Sequence, residues 1–135
     1  MDVSGISHIT EILGKHNRFQ ECVIESLSFK QFGTVFEVVL DNIWDDSGKN
    51  IRKNLNEPNL VHLQFAPVQK ITLNNALNDS MLDHPEELSW GLNEISYMAL
   101  EDNSHNEYPG FHTMRLYWES DRYLTITFVT INVHY

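Results

Sequence analysis

The chain has 135 residues, and nineteen Asp or Glu against nine Lys or Arg give it a formal net charge of −10 at pH 7. This length fits one domain over residues 1–135, which can bury about two-thirds of its unfolded surface without disulfides or metals. The excess of carboxylates argues against binding to nucleic-acid backbones or anionic membranes and is compatible with a basic protein partner.

Cysteine usage and the N-terminal residues indicate the compartment. Cys22 is the single cysteine, so it cannot form an internal disulfide. The first residues lack the basic start and apolar run of a signal peptide, and no stretch approaches the ~20 apolar residues that cross a bilayer. We therefore predict a soluble cytoplasmic protein.

The clearest structural pattern is a β-hairpin between Glu21 and Trp44. Its predicted strands are Cys22–Phe29 and Thr34–Asp41, where β-branched and aromatic residues alternate with polar ones. Gly33 can adopt the positive φ that a short connection needs. The apolar face changes phase within the first strand, which predicts a bulge near Glu25 and Ser26.

The remaining elements are predicted mainly as strands. Before the hairpin, apolar residues at helical spacing predict an amphipathic helix over Ile6–Lys15. After it, strands are predicted at Asn59–Ala66, where Pro67 should limit pairing, and at Leu92–Leu100. A last hairpin comprises Phe111–Glu119 and Tyr123–Tyr135. The predicted fold is mainly β with minor α content: an antiparallel β-sandwich or a strongly curved sheet of about six strands, an N-terminal helix and a possible short helix near Pro85.

An acidic tract occupies the second half of the chain. No Lys or Arg occurs from Ile71 through Met114, and aromatic residues are interleaved with the acids. Charge of one sign on connecting segments can steer a basic partner, and aromatic side chains can anchor it. The candidate partner-binding residues are Asp79, Asp83, Glu86, Glu87, Trp90, Glu101, Asp102, Glu107 and Tyr108.

No catalytic motif is present, so we expect no enzymatic activity and no cofactor. No serine lies in a glycine-flanked nucleophile turn, and no pair of histidines has close metal-binding spacing. A hydrolase or metal enzyme would need His62, His112 and His134, or two of them with Asp41, to converge. A small-molecule-binding β domain is the other alternative, with a cavity lined by Phe36, Phe65, Tyr97, Trp118 and Phe128.

Part of the chain carries a pattern of three strand segments: a strand ending Ile-x-Ser-Leu, a strand ending Leu-Asp and a later Leu-x-Ile strand. The pattern comprises Glu21–Leu27, Val38–Asp41 with Trp44, Leu63–Phe65 and Leu124–Ile126. In this pattern the chain resembles the small immunity proteins of bacterial polymorphic toxin systems. The resemblance implies a cytoplasmic inhibitor that occludes a toxin without chemistry of its own. A basic toxin domain such as a nuclease is the expected partner, and the sequence does not determine the oligomeric state.

Overall fold

The computed structural model describes residues 2–3, 6–45, 47–50, 59–74, 82–83, 95–101, 110–118 and 122–135. One α-helix, α1, and seven strands, β1 to β7, lie within these ranges. Their bounds in chain order are β1 Asp2–Val3, α1 Ile6–Lys15, β2 Val23–Lys30, β3 Val35–Asp41, β4 Leu60–Asn74, β5 Tyr97–Leu100, β6 His112–Tyr117 and β7 Tyr123–His134. Within the described ranges, no helix is long and apolar enough to cross a membrane.

The strands form one antiparallel sheet in the order β2-β3-β4-β7-β6-β5. β7 is central: it pairs with β4 along one side and with β6 and then β1 along the other. The mainly β prediction with an N-terminal helix is therefore confirmed. Of the two predicted architectures, the curved single sheet is the one observed, because all seven strands belong to the same sheet.

Helix α1 has the predicted bounds and packs through one side. Ile9, Ile12 and Leu13 are buried in the hydrophobic core, whereas Glu11 and Lys15 are exposed and approach to 3.7 Å. Burial of each Ile or Leu side chain contributes about 1.5–3 kcal/mol, whereas the exposed ion pair contributes at most a few tenths. The apolar side therefore fixes the helix on the sheet.

The β2–β3 hairpin forms as predicted, including its bulge. The pairing register shifts between Ile24 and Ser26, which leaves Glu25 as the extra residue. A bulge restores the alternation after a phase change, so the apolar side chains on both sides of it can serve the core. The connection is a 3-10 turn, Gln31–Gly33, in which all three residues have positive φ.

Strand β4 is longer than predicted. It continues past Pro67 to Asn74 and pairs with β7 over this whole length. Pairing with β3 does end before Pro67, at Phe65. The expected limit was wrong for β7, because proline removes only its own N–H donor, and its neighbours Ala66 and Val68 still pair with Thr130 and Phe128.

The pairing of β4 changes beyond Phe65, where it leaves β3. Phe65 is the last β4 residue that pairs with β3, and the Val68 N–H then donates to the Thr34 carbonyl at 2.9 Å. At the same level of β7 the buried side chains pass from Phe128 to Ile131, three residues apart. The phase change predicted for the closing strand therefore lies next to a register shift of the β4–β7 pair between Val68 and Lys70.

The concave side of the sheet encloses the hydrophobic core. Phe65 and Phe128 meet there edge to face, with ring centroids 4.9 Å apart. At one end the two sheet edges approach each other: the Glu21 N–H donates to the Ile95 carbonyl at 2.7 Å, and the Ile95 N–H donates to the Cys22 carbonyl at 2.8 Å. We call the opposite side of the sheet the outer face.

Two predicted elements differ from the observed ones or lie partly outside the described residues. β5 covers Tyr97–Leu100, so the strand predicted over Leu92–Leu100 is shorter; residues 92–94 lie outside the described residues. Leu82 and Asp83 are helical, and the rest of the predicted second helix also lies outside them.

Candidate functional site

Two of the nine predicted partner-binding residues lie in the described part of the chain. Asp83 is exposed, and Glu101 follows β5 directly with its side chain 34% exposed. The other seven lie outside the described residues: Asp79, Glu86, Glu87, Trp90, Asp102, Glu107 and Tyr108. Glu101 is therefore the residue of the acidic tract that is joined directly to a described strand.

Next to Glu101, three tyrosines form a row across the outer face. Tyr97 of β5 is paired with Tyr117 of β6, and Tyr117 with Tyr123 of β7. All three side chains are half-buried, and the rings of Tyr97 and Tyr117 stack with centroids 4.6 Å apart. Directly opposed residues on one face are close enough for such contact. We call these three residues the tyrosine row.

Two arginines lie against the tyrosine row. The Arg115 guanidinium is 4.5 Å from the Tyr123 ring centroid, and that of Arg18 is 4.9 Å from the Tyr97 centroid. Arg115 Nε also donates to Thr125 Oγ1 at 3.0 Å and lies 3.9 Å from Glu101 Oε1. These contacts hold planar cations over aromatic rings, which is favourable at partly exposed sites.

Glu101 connects the row to the acidic tract. The Tyr117 hydroxyl donates to Glu101 Oε1 at 2.7 Å. Partial burial of Tyr117, together with the hydrogen bond to Glu101 and its negative charge, raises the pKa of Tyr117 above its ordinary value of 10.0. The hydroxyl therefore remains a donor at neutral pH and orients the carboxylate.

The outer face carries a second polar cluster on the other half of the sheet. Glu37 of β3 is only 5% exposed; its carboxylate lies 3.1 Å from Lys30 Nζ, accepts a 2.8 Å hydrogen bond from Gln64 Nε2 and is 3.6 Å from His62 Nδ1. Burial raises the pKa of Glu37, but the hydrogen bonds from Gln64 and Lys30 and the nearby positive charges outweigh it, so this pKa lies below its ordinary value. We call these residues the Glu37 cluster.

The histidines considered for a metal or catalytic site do not all converge. His62 and His134 are paired on the outer face, but His112 lies on the core face, with its ring centroid 6.0 Å from that of Phe128. Asp41 accepts a hydrogen bond from the Asn59 N–H at 3.0 Å. Among the described residues, no group of three His, Cys, Asp or Glu side chains is arranged to hold a metal ion.

The side chains considered for an apolar ligand cavity are also divided between the two faces. Phe36, Phe65, Trp118 and Phe128 are buried in the core, and Phe65 and Phe128 fill space against each other. Tyr97 belongs to the outer face instead, because its neighbour Met98 points into the core. The set therefore does not line one cavity.

Arg115, Tyr117 and Tyr123 were not among the predicted site residues. Each alternates with a buried neighbour, which is a signal for an outward position, but alternation alone does not show which strands are adjacent. The pairing of β5, β6 and β7 brings these residues together.

Comparison with known proteins supports the fold. No protein-family model matches the chain, and no curated protein matches it. A crystal structure of an uncharacterized protein from Neisseria gonorrhoeae is similar, with a TM-score of 0.55 and 14% sequence identity over 87% of this chain and 93% of the other. At this identity the likeness concerns the architecture alone.

Proposed function

We propose that this protein is a stoichiometric protein-binding inhibitor, similar in action to immunity proteins, and that it neutralises a basic toxin domain such as a nuclease. Its contact surface combines the acidic tract with the tyrosine row. The observation that carries the proposal is the row itself: stacked, half-exposed aromatic rings on an open sheet face, with Glu101 at their edge.

The net charge supports association with a basic partner. A charge of −10, with no Lys or Arg between Ile71 and Met114, attracts positively charged proteins over a Debye length. Nucleases are a suitable class because proteins that bind phosphate backbones carry clustered Lys and Arg.

The tyrosine row supports affinity after encounter. Tyr and Arg are enriched among the residues that carry most of the binding energy at protein interfaces. In the row, ring stacking and the Arg115 contacts hold these side chains in place before binding, so less conformational entropy is lost when a partner covers them. Such a surface can occlude an active site without any chemistry of its own.

A pull-down of the purified protein from the lysate of its source organism tests the proposal. It should be run at about 0.01 M and about 0.15 M ionic strength, where the Debye lengths are about 30 and 8 Å. We expect one basic protein in equimolar amount, held less strongly at the higher salt. Failure to retain a basic protein at either salt would contradict the proposal.

Charge reversal then tests the contact surface. We expect a variant with Glu86, Glu87, Glu101 and Asp102 all replaced by Lys to associate several-fold more slowly at low salt, and Glu101→Lys alone to show part of this effect. Glu11→Lys is the matched control for the single variant, because it makes the same charge change on the exposed side of α1. Equal association rates for Glu101→Lys, Glu11→Lys and the parent would show that Glu101 is not part of the contact surface.

Truncation of the row tests the anchor role. Tyr97→Ala removes a half-exposed ring and should weaken partner binding by about 1–2 kcal/mol through faster dissociation. Phe32→Ala is a suitable control, since Phe32 is a fully exposed aromatic residue at the opposite hairpin. Equal affinities of the two variants would show that the row is not the anchor.

A further inference from the structure

His62 and His134 lie side by side on the outer face of the sheet. They are directly paired in the register of β4 and β7, the two central strands. Directly opposed residues on one face of an antiparallel pair have Cβ atoms about 4.5–5.5 Å apart. The His62 side chain is 40% exposed and His134 is exposed, so both imidazole rings are open to solvent and can turn toward each other. The pairing therefore places two imidazole rings within reach of one small ligand.

The carboxylate of Glu37 determines which ring nitrogen of His62 is available to a ligand. Glu37 Oε2 lies 3.6 Å from His62 Nδ1, and Glu37 is only 5% exposed. A carboxylate faces an N–H favourably and an imidazole lone pair unfavourably, so neutral His62 carries its proton on Nδ1 and keeps the lone pair on Nε2. Glu37 is itself held in place by Lys30 Nζ at 3.1 Å and by the hydrogen bond from Gln64 Nε2 at 2.8 Å.

A histidine backed by a carboxylate has the chemistry of a metal ligand. Histidines that bind metal ions commonly direct their other ring N–H to a carboxylate, which fixes the tautomer and raises the basicity of the ligating nitrogen. Imidazole nitrogens suit divalent transition metals such as Zn²⁺, Ni²⁺ and Cu²⁺, whereas Mg²⁺ and Ca²⁺ prefer oxygen ligands. The net charge of −10 also attracts cations to the protein surface.

We propose that His62 and His134 together bind one divalent transition-metal ion across β4 and β7. His62 supplies Nε2, His134 supplies one ring nitrogen, and water completes the coordination, because the described residues contain no group of three His, Cys, Asp or Glu side chains that could hold the ion. The site is therefore open and weaker than a structural site with four protein ligands. It is independent of the proposed inhibitor function, because it uses none of the residues of the tyrosine row or the acidic tract.

The ¹⁵N NMR signals of the histidine rings test the site directly, with ZnCl₂ as the probe and MgCl₂ as the control. Before metal is added, neutral His62 should show the tautomer that carries its proton on Nδ1. We expect Zn²⁺ to shift the His62 Nε2 signal and one His134 nitrogen signal together, and both shifts to saturate with a dissociation constant of about 1 mM or tighter. Mg²⁺ should shift neither signal.

Three variants separate the paired site from scattered binding to single histidines. His134→Asn changes an exposed residue, so it should leave the fold intact and weaken Zn²⁺ binding at His62 about tenfold or more. His8→Asn is the matched control, because His8 is an exposed histidine on α1 and its loss should leave binding at His62 unchanged. Glu37→Gln should weaken binding about tenfold and shift His62 toward a mixture of tautomers.

Urea unfolding with and without ZnCl₂ tests whether the ion joins the two strands. An ion that binds only the folded protein stabilises it, so the midpoint of unfolding should rise in the parent and not in His134→Asn. The proposal would be overturned by an unchanged midpoint in the parent, by full Zn²⁺ binding in His134→Asn, by an equal loss of binding in His8→Asn, or by the absence of a Zn²⁺-dependent shift in the parent.

Discussion

The two halves of the outer face use charged side chains in opposite ways. In the Glu37 cluster, Lys30, Gln64 and His62 converge on one buried carboxylate, so the polar groups satisfy one another within the fold. In the tyrosine row, one carboxylate, Glu101, lies at the edge of half-exposed rings and is itself one-third exposed. The polar groups of the Glu37 cluster are therefore paired with one another, whereas the tyrosine row and Glu101 present aromatic and charged groups to solvent.

This difference predicts which half contributes to folding stability and which half contributes to partner binding. A buried carboxylate is tolerated only when hydrogen bonds and opposite charges replace its hydration, so the Glu37 cluster should contribute to stability. Half-exposed tyrosines and a guanidinium on an open sheet contribute less to stability and retain surface that a partner can bury. The comparison therefore predicts stability effects on one half and binding effects on the other.

The largest change in the free energy of unfolding is expected for a substitution in the core beneath both halves. Phe65→Ala removes a fully buried ring that packs on Phe128, and we expect a loss of about 3–5 kcal/mol in the free energy of unfolding. Urea unfolding followed by far-UV circular dichroism and by tryptophan fluorescence measures this loss. The matched control is Phe29→Ala, a residue 61% exposed, which should change stability much less. Two separate transitions in the parent would show that the halves unfold independently and would contradict a shared core.

An intermediate effect is expected at Glu37. Glu37→Gln should destabilise the protein by about 1–3 kcal/mol at pH 7, because it removes the charge that Lys30 and His62 face. Since the pKa of Glu37 is lower in the folded state than its ordinary value of 4.5, the ionised carboxylate stabilises the fold above that pH. The stabilisation is lost as the pH falls through the folded-state pKa.

Urea titrations from pH 7 to pH 3 test this pH dependence. The difference in the free energy of unfolding between the parent and Glu37→Gln should become smaller below pH 4.5. Glu11→Gln serves as the control, because the Glu11 side chain is 62% exposed and only a small, nearly constant difference is expected. If the difference in the free energy of unfolding between the parent and Glu37→Gln does not change with pH, the Glu37 charge does not stabilise the fold.

The smallest effect on stability is expected in the tyrosine row. Tyr117→Phe keeps the ring and its stacking on Tyr97 but removes the hydroxyl that donates to Glu101, so we expect a loss below about 1 kcal/mol. Tyr97→Phe is the control, since the described residues give the Tyr97 hydroxyl no hydrogen-bond partner. Thermal unfolding of the two variants measures the difference. If Tyr117→Phe lowered the free energy of unfolding as much as Glu37→Gln does, the two halves would not differ in their contribution to stability.

Local patterns were sufficient for the elements whose residues alternate or repeat at helical spacing. Helix α1, the β2–β3 hairpin and the bulge at Glu25 follow from such patterns, because each depends on residues close in sequence. The same local patterns placed the end of β4 before Pro67, because they do not show that β7 pairs with the residues beyond it. Sequence also could not decide whether Tyr97 or Met98 faces the core, as both side chains can be buried.

The candidate site was predictable only in part for the same reason. The charge imbalance that includes Glu101 is visible in the composition of the chain. The tyrosine row is not, because Tyr97, Tyr117 and Tyr123 come together through pairing among three strands separated by connecting segments.

The pairing of β4 with β7 has a consequence for how the protein folds during synthesis. The central pair of the sheet joins His62 to His134 and Asn74 to Tyr123, so its two strands leave the ribosome far apart in time. Strands β2, β3 and β4 can pair early, but one edge of β4 then remains unpaired until β7 has been translated. Such non-local pairing folds slowly, on a scale of about milliseconds to seconds, and exposes strand edges meanwhile. Nascent chains stalled before Tyr123 should therefore depend on chaperones, whereas chains that include β7 should not.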